Sequence, residues 1–90
     1  MVRHFNILVS GKVQGVFFRA SAKDQAVLFG IKGFVRNESN GDVYIEAEAE
    51  ENQLNDFLEW CGRGPGRARV DNLNVEEGPL KNFTHFEISR

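Results

Sequence analysis

Residues 11–21 read GKVQGVFFRAS, and the fold can be worked out in both directions from this segment. Three apolar residues before it are spaced by two, which predicts a first strand over residues 3–10: Phe5, Ile7 and Val9. After it, apolar residues recur at helical spacing and predict a first helix: Phe18, Ala22, Ala26 and Phe29. Gly30 then follows, as glycine often follows the last residue of a helix. The segment is therefore a loop that leads from a strand into a helix N-terminus.

A hairpin is predicted next, with strands over residues 31–37 and 42–50 joined by the turn-forming pair Asn40-Gly41. The second of these strands alternates apolar with mostly acidic residues. We expect its apolar face to be buried and its acidic face to be solvated, and we expect no metal site among its acids.

A second helix is predicted after Asn52, the expected N-cap, because four residues form an apolar stripe: Leu54, Phe57, Leu58 and Cys61. Residues 68–75 read as a fourth strand whose alternation slips at Asp71-Asn72, which predicts a β-bulge. Residues 83–89 read as a short last strand.

The predicted order is therefore βαββαβ plus a short C-terminal strand. Two helices cannot cover both faces of a sheet of four or five strands, so both are expected on one face. This predicts one α+β domain over residues 1–90, a two-layer α/β sandwich of ferredoxin-like topology.

Composition narrows the classes of function. The chain is 41% hydrophobic and 27% charged, which is typical of a globular protein. Its net charge of −2 provides no overall attraction to nucleic acid or to an anionic membrane. No apolar run approaches the ~20 residues of a membrane span, and no secretory signal is evident. A lone cysteine, Cys61, cannot form an internal disulfide, and it is expected in the core. We therefore expect a cytoplasmic protein.

The loop itself could bind an anion. Residues 1–23 contain four basic residues and no acidic residue. Backbone amides at a helix N-terminus lack partners and carry partial positive charge, and glycines let further amides converge. Arg19 in the first helical turn opposes the helix dipole at a cost of about 0.3–1 kcal/mol, which a bound anion would reverse. An arginine near a helix start is also common as a solvated residue, so the loop alone leaves both interpretations open.

Other chemistry-bearing residues are sparse. No serine–histidine–acid set, CxxC or HExxH pattern is present. His4 and His85 are expected at the surface or at a sheet edge. Asn37, at the end of the second strand, is either a turn residue or a neutral side chain that orients a water molecule.

Three segments of the sequence resemble the acylphosphatase family. GKVQGVFFR resembles its phosphate-loop signature, GFVRN followed by NGDV resembles its second signature, and GPGRARV matches a third segment. The resemblance runs nearly end to end. It departs from the usual pattern at Ala22, where the family commonly has threonine, at Phe34, where it has tryptophan, and at Ala49, where glycine is frequent.

The resemblance implies a mainly antiparallel sheet and the hydrolysis of the carboxyl–phosphate bond of small acyl phosphates. It implies that Arg19 binds the phosphoryl group and that Asn37 positions the attacking water. The phosphate would also be held by the backbone amides of the loop: Gln14, Gly15, Val16, Phe17 and Phe18. No metal or cofactor is implied, phosphate or sulfate would compete with the substrate, and we expect a monomer.

Two other functions are compatible with this topology. One is an RNA-binding module, although the acidic third strand would repel an RNA backbone. The other is a noncatalytic anion-sensing or regulatory module that keeps the loop and acts through a partner.

Overall fold

The chain follows the predicted order of elements in the computed structural model, which describes residues 1–89. The elements are β1 Val2–Lys12, α1 Phe18–Phe29, β2 Lys32–Asn37, β3 Val43–Glu50, α2 Glu51–Arg63, β4 Arg69–Gly78 and β5 Phe86–Ile88. Neither helix of this described part is long and apolar enough to cross a membrane. A single domain over residues 1–90 stays a prediction.

The five strands form one sheet in the order β4-β1-β3-β2-β5. Every neighbouring pair is antiparallel except β2 and β5, so the expected mainly antiparallel sheet is confirmed. β1 and β2 lie on either side of β3, and Val43 at the start of β3 pairs with both Val9 and Asn37. The carboxyl ends of β1 and β2 therefore lie at the same end of the sheet.

Both helices pack on one face of the sheet, as predicted, and the core between the layers is aromatic. The centroids of the Phe18 and Trp60 rings lie 5.3 Å apart, and this contact connects α1 to α2. The centroids of the Phe57 and Phe86 rings lie 6.2 Å apart, and this contact connects α2 to the edge strand β5. Edge-to-face and tilted pairs at such distances stabilise a core beyond their buried area.

The predicted bulge is confirmed, and it lies beside the loop. Ser10 pairs with Asn72 and Gly11 pairs with Val70, which leaves Asp71 as the extra residue on β4. A Cβ atom at Gly11 would lie 2.2 Å from the Arg69 carbonyl oxygen, so only glycine allows the two strands to approach so closely. The bulge bends the sheet where the chain leaves β1 for the loop.

Several boundary predictions were wrong, among them the end of the fourth strand, which lies at Gly78 instead of residue 75. The N-cap of α2 is Glu50 and not Asn52, because Glu50 and Gln53 form a reciprocal capping box. The last strand spans only Phe86–Ile88 instead of residues 83–89.

The acidic face of β3 is covered, which also contradicts the sequence-based expectation. Glu46 and Glu48 are only 6% and 4% exposed. The segment before β5 crosses this face, and the backbone amides of Lys81 and Phe83 donate hydrogen bonds to the Glu48 carboxylate. These donors replace the water that a buried carboxylate loses.

His4 was also predicted incorrectly, because it is 1% exposed and not at the surface. Its Nδ1 lies 2.7 Å from Glu48 Oε2, and its Nε2 lies 2.7 Å from Asn6 Oδ1. The Phe83 ring stacks on the imidazole at 5.9 Å. His85, in contrast, has a 67% exposed side chain, as expected.

Candidate active site

A pocket of about 390 Å³ opens between the loop that follows β1, the start of α1 and the ends of β2 and β5. Most of the residues selected from the sequence line it: Gln14, Gly15, Phe17, Phe18, Arg19 and Asn37. Val16 does not line it, because its side chain is buried in the core. Three lining residues were not predicted, namely Val13, Ala20 and Ile88.

The loop backbone turns sharply twice before the helix begins. Gly15 has φ 74° and Phe17 has φ 62°, both in the left-handed region. This region costs a residue with a side chain roughly 1–2 kcal/mol, so the loop retains an unfavourable conformation at Phe17. The amides of residues 14–18 donate to no backbone acceptor within residues 1–89. Successive free amides of this kind form a concave surface suited to an anion.

Arg19 adds a cation to this surface. It lies in the first turn of α1, where no acidic residue is present, and it is half-buried. The ion pairs found within residues 1–89 leave its guanidinium unpaired. A planar guanidinium can donate two parallel hydrogen bonds to phosphate oxygens. The guanidinium and the helix N-terminus therefore make this side of the pocket positive.

Asn37 faces the same pocket from the last residue of β2. Its Oδ1 is buried and has no hydrogen-bond partner, and it is the one such side-chain atom within residues 1–89. An unpaired buried acceptor costs about 1–3 kcal/mol, so it needs an explanation other than stability.

The Gln14 side chain ties the loop to the turn between β2 and β3. Its Nε2 donates to the carbonyl oxygens of Glu38 and Asp42, at 2.8 and 2.9 Å. These two carbonyls belong to the turn that directly follows Asn37. The sequence predicts a role only for the Gln14 backbone amide, because no local pattern pairs residue 14 with residues 38 and 42.

The two adjacent phenylalanines point in opposite directions. Phe18 is 2% exposed and packs on Trp60, whereas Phe17 is 78% exposed at the pocket. Phe18 therefore fixes the end of the loop to the core, while Phe17 contributes an exposed apolar side chain to the pocket lining.

The remaining candidate groups lie away from the pocket. Cys61 is fully buried in the core as predicted, and burial raises the pKa of its thiol. Within the described residues, no three or more His, Cys, Asp or Glu side chains are grouped so that they could hold a metal ion.

The two-layer fold and the loop at its sheet end place the chain among ferredoxin-like α+β proteins. The family model for acylphosphatase matches residues 5–88, and the chain belongs to this family. It is similar to an acylphosphatase of Marinobacter nauticus, with 46% identity over 89 residues that cover 98% of this chain and 97% of the relative.

Solved structures agree with the fold. An acylphosphatase from Coxiella burnetii has a TM-score of 0.95 and 38% identity, and the match covers 98% of this chain and 93% of that one. An acylphosphatase from Bacillus subtilis has a TM-score of 0.96 and 34% identity, with 100% of both chains covered. The chain is therefore an enzyme that hydrolyses acyl phosphates, rather than the noncatalytic module that its sequence also allowed.

Proposed function

We propose that the enzyme cleaves the carboxyl–phosphate bond by in-line attack of a water molecule on the phosphorus atom. Arg19 and the amides of residues 14–18 hold the phosphoryl oxygens, and Asn37 positions the water. The new bond joins the water oxygen to phosphorus, and the bond from phosphorus to the acyl oxygen breaks. The carboxylate leaves with the electron pair, and inorganic phosphate is the second product.

This reaction suits a site with few chemical groups. The leaving carboxylate is stable as an anion near neutral pH, so no general acid has to protonate it. The transition state of phosphoryl transfer is loose, and it mainly requires that spread negative charge is stabilised and that the nucleophile is aligned. Preformed amide donors and a guanidinium supply the first requirement without reorganisation.

The main support is one observation: Asn37 and Arg19 line the same pocket beside the free loop amides. The unpaired Oδ1 of Asn37 agrees with the role given to this residue. The Asn37 side chain lines the pocket, and a carboxamide can accept a hydrogen bond from a water molecule through its oxygen or donate one through its nitrogen. The same water then lies beside a phosphoryl group held by the amides.

The water must also lose protons. Arg19 carries the one charged side chain among the residues that line the pocket, and no His, Asp, Glu or Lys side chain there could accept a proton. We propose that the proton goes to an oxygen of the bound phosphate or to solvent. A kcat/KM profile without a protein pKa near 7 is expected.

The division of roles is tested with two variants and benzoyl phosphate as substrate. Arg19→Ala should lower kcat/KM by about 10³-fold or more, and it should also weaken inhibition by inorganic phosphate. Asn37→Ala should lower kcat by about 10²-fold and leave phosphate inhibition nearly intact. Arg63→Ala and Asn55→Ala are matched controls, because both residues are exposed on α2 and lie outside the pocket.

A comparable loss of phosphate inhibition in Asn37→Ala and Arg19→Ala would contradict these roles. A protein group with a pKa near 7 that controls kcat/KM would contradict the proton route. We also propose that sulfate competes with substrate, and that the enzyme acts as a cytoplasmic monomer; inhibition kinetics, sedimentation and cell fractionation test these three points.

A further inference from the structure

Phe17 is unusual in both conformation and exposure. It is one of two residues other than glycine with positive φ within residues 1–89, and its side chain is exposed while Phe18 next to it is buried. The left-handed region is unfavourable for an aromatic residue, and asparagine or glycine would adopt it more readily. Water also solvates an exposed phenyl ring poorly. Neither the backbone nor the burial of Phe17 explains why a phenylalanine stands there.

The second large exposed apolar residue of the pocket is Ile88, which comes from the opposite end of the chain. Ile88 lies on the edge strand β5, pairs with Val35 and is 39% exposed. It lies on the same strand face as the buried Phe86, two residues earlier, and so faces the helix layer. Two large exposed apolar side chains from distant parts of the sequence therefore line the same pocket.

The position of the polar groups limits what these side chains can contact. Amides 14–18, Arg19 and Asn37 provide the polar part of the pocket and match a phosphoryl group and a water molecule. A phosphoryl group alone would fill only part of about 390 Å³. The rest of the substrate therefore has room in the same pocket, where Phe17 and Ile88 offer exposed apolar surface.

We propose that Phe17 and Ile88 form a subsite for the acyl group, and that this subsite favours acyl phosphates with aromatic or branched apolar acyl groups over acetyl phosphate. The inference rests on the proposed function, since it assigns the part of the substrate that the phosphate-binding groups do not contact. The Phe17 ring can stack on an aromatic acyl group, and Ile88 can contact it from β5. Binding energy from this remote part of the substrate raises kcat/KM for larger acyl groups.

The test compares kcat/KM for benzoyl phosphate with kcat/KM for acetyl phosphate in each variant. The ratio of the two values cancels any general damage to the phosphate loop, because both substrates share the same phosphoryl group. Phe17→Asn removes the ring and keeps a residue that tolerates positive φ, and we expect the ratio to fall by about 10-fold. Ile88→Thr keeps the branched shape but adds a hydroxyl group, and a smaller fall in the ratio is expected.

Leu28→Asn is the matched control, because Leu28 is 73% exposed on α1 and lies outside the pocket. Its ratio should equal that of the unmodified enzyme. An unchanged ratio in both Phe17→Asn and Ile88→Thr, in enzymes that still hydrolyse both compounds, would overturn the acyl subsite. Failure of the unmodified enzyme to hydrolyse either compound would instead overturn the proposed function.

Discussion

Replacing Gln14 by methionine tests whether the loop depends on its connection to the β2–β3 turn. Methionine has nearly the same length and shape as glutamine but cannot donate hydrogen bonds. The change therefore removes the two bonds from Nε2 to the Glu38 and Asp42 carbonyls and leaves the rest of the loop intact. Because the Gln14 side chain connects the loop to the turn that follows Asn37, its loss should affect the distance between the loop amides and Asn37.

The expected loss of stability follows from those two bonds. Each hydrogen bond between uncharged groups contributes about 0.5–1.5 kcal/mol, so two contribute about 1–3 kcal/mol. Both carbonyls keep a second donor, since the Gly41 amide donates to Glu38 and the Glu38 amide donates to Asp42. No buried acceptor is left unpaired, so we expect the lower half of this range. A loss of 1 kcal/mol lowers the Tm of a domain of this size by about 4–8 °C.

Two measurements separate a structural from a functional effect. Urea unfolding gives the change in the free energy of unfolding, and steady-state kinetics with benzoyl phosphate gives kcat and the inhibition constant for phosphate. We expect kcat to fall by about 10-fold at a temperature where the variant is fully folded, because a loop displaced by a fraction of an ångström no longer aligns phosphate and water. Gln25→Met is the control, since Gln25 lies on α1 outside the pocket.

A Gln14→Met enzyme with lower stability but unchanged kcat and phosphate inhibition would refute this reasoning. In that case the loop would keep its active geometry through Val13, Val16 and Phe18, which anchor it in the core. An unchanged free energy of unfolding would refute the assigned hydrogen bonds as well.

Two further predictions concern the buried groups. Burial alone would raise the pKa of Glu48, but hydrogen bonds from the Lys81 amide, His4 and the Phe83 amide outweigh it and lower the pKa below its ordinary 4.5. This stabilisation is present above about pH 4.5 and is lost as the pH falls through the lowered pKa. Glu48→Gln should therefore cost about 1–3 kcal/mol at pH 7, since one of the two amides loses its acceptor, and progressively less as the pH falls below 4.5. A loss in urea unfolding that stays constant as the pH is lowered would contradict this prediction. The thiol of Cys61 is fully buried and its pKa is raised, so it should react with a thiol reagent only in denaturant. The absorbance change of the reagent measures this labelling. Fast labelling of the native enzyme would contradict the prediction and show that the core around Cys61 opens.

Local patterns in the sequence predicted the elements and their order. Alternation at Phe5, Ile7 and Val9 and helical spacing from Leu54 onwards identify faces that become the core, because side-chain direction has a fixed period in a strand and in a helix. The slip at Asp71 likewise predicted the bulge. The ends of the helices and strands were predicted less accurately than their order. The capping box of Glu50 and Gln53, for example, places the N-cap of α2 two residues before the predicted Asn52.

Predictions about the outer face of the sheet failed for a different reason. An alternating strand tells which residues share a face, but it does not tell whether a distant segment covers that face. The segment before β5 supplies two amides to Glu48 and a phenyl ring to His4 across more than thirty residues of sequence. No local pattern in β3 indicates this cover.

The candidate site also combines features that the local sequence predicted with features that only the tertiary structure decided. Local sequence alone selected the loop and Arg19, because a helix N-terminus and an unpaired cation have a chemistry that can be read from neighbouring residues. It left two roles open for Asn37, and only the family resemblance implied that this residue positions the water. Only the tertiary structure brought Asn37 beside the loop, exposed Phe17 while burying Phe18, and added Ile88 from the last strand. These positions depend on β1 and β2 flanking β3 and on β5 pairing with β2. Contacts of that kind join residues far apart in the chain, and they are fixed by how the layers pack and not by the spacing of residues along it.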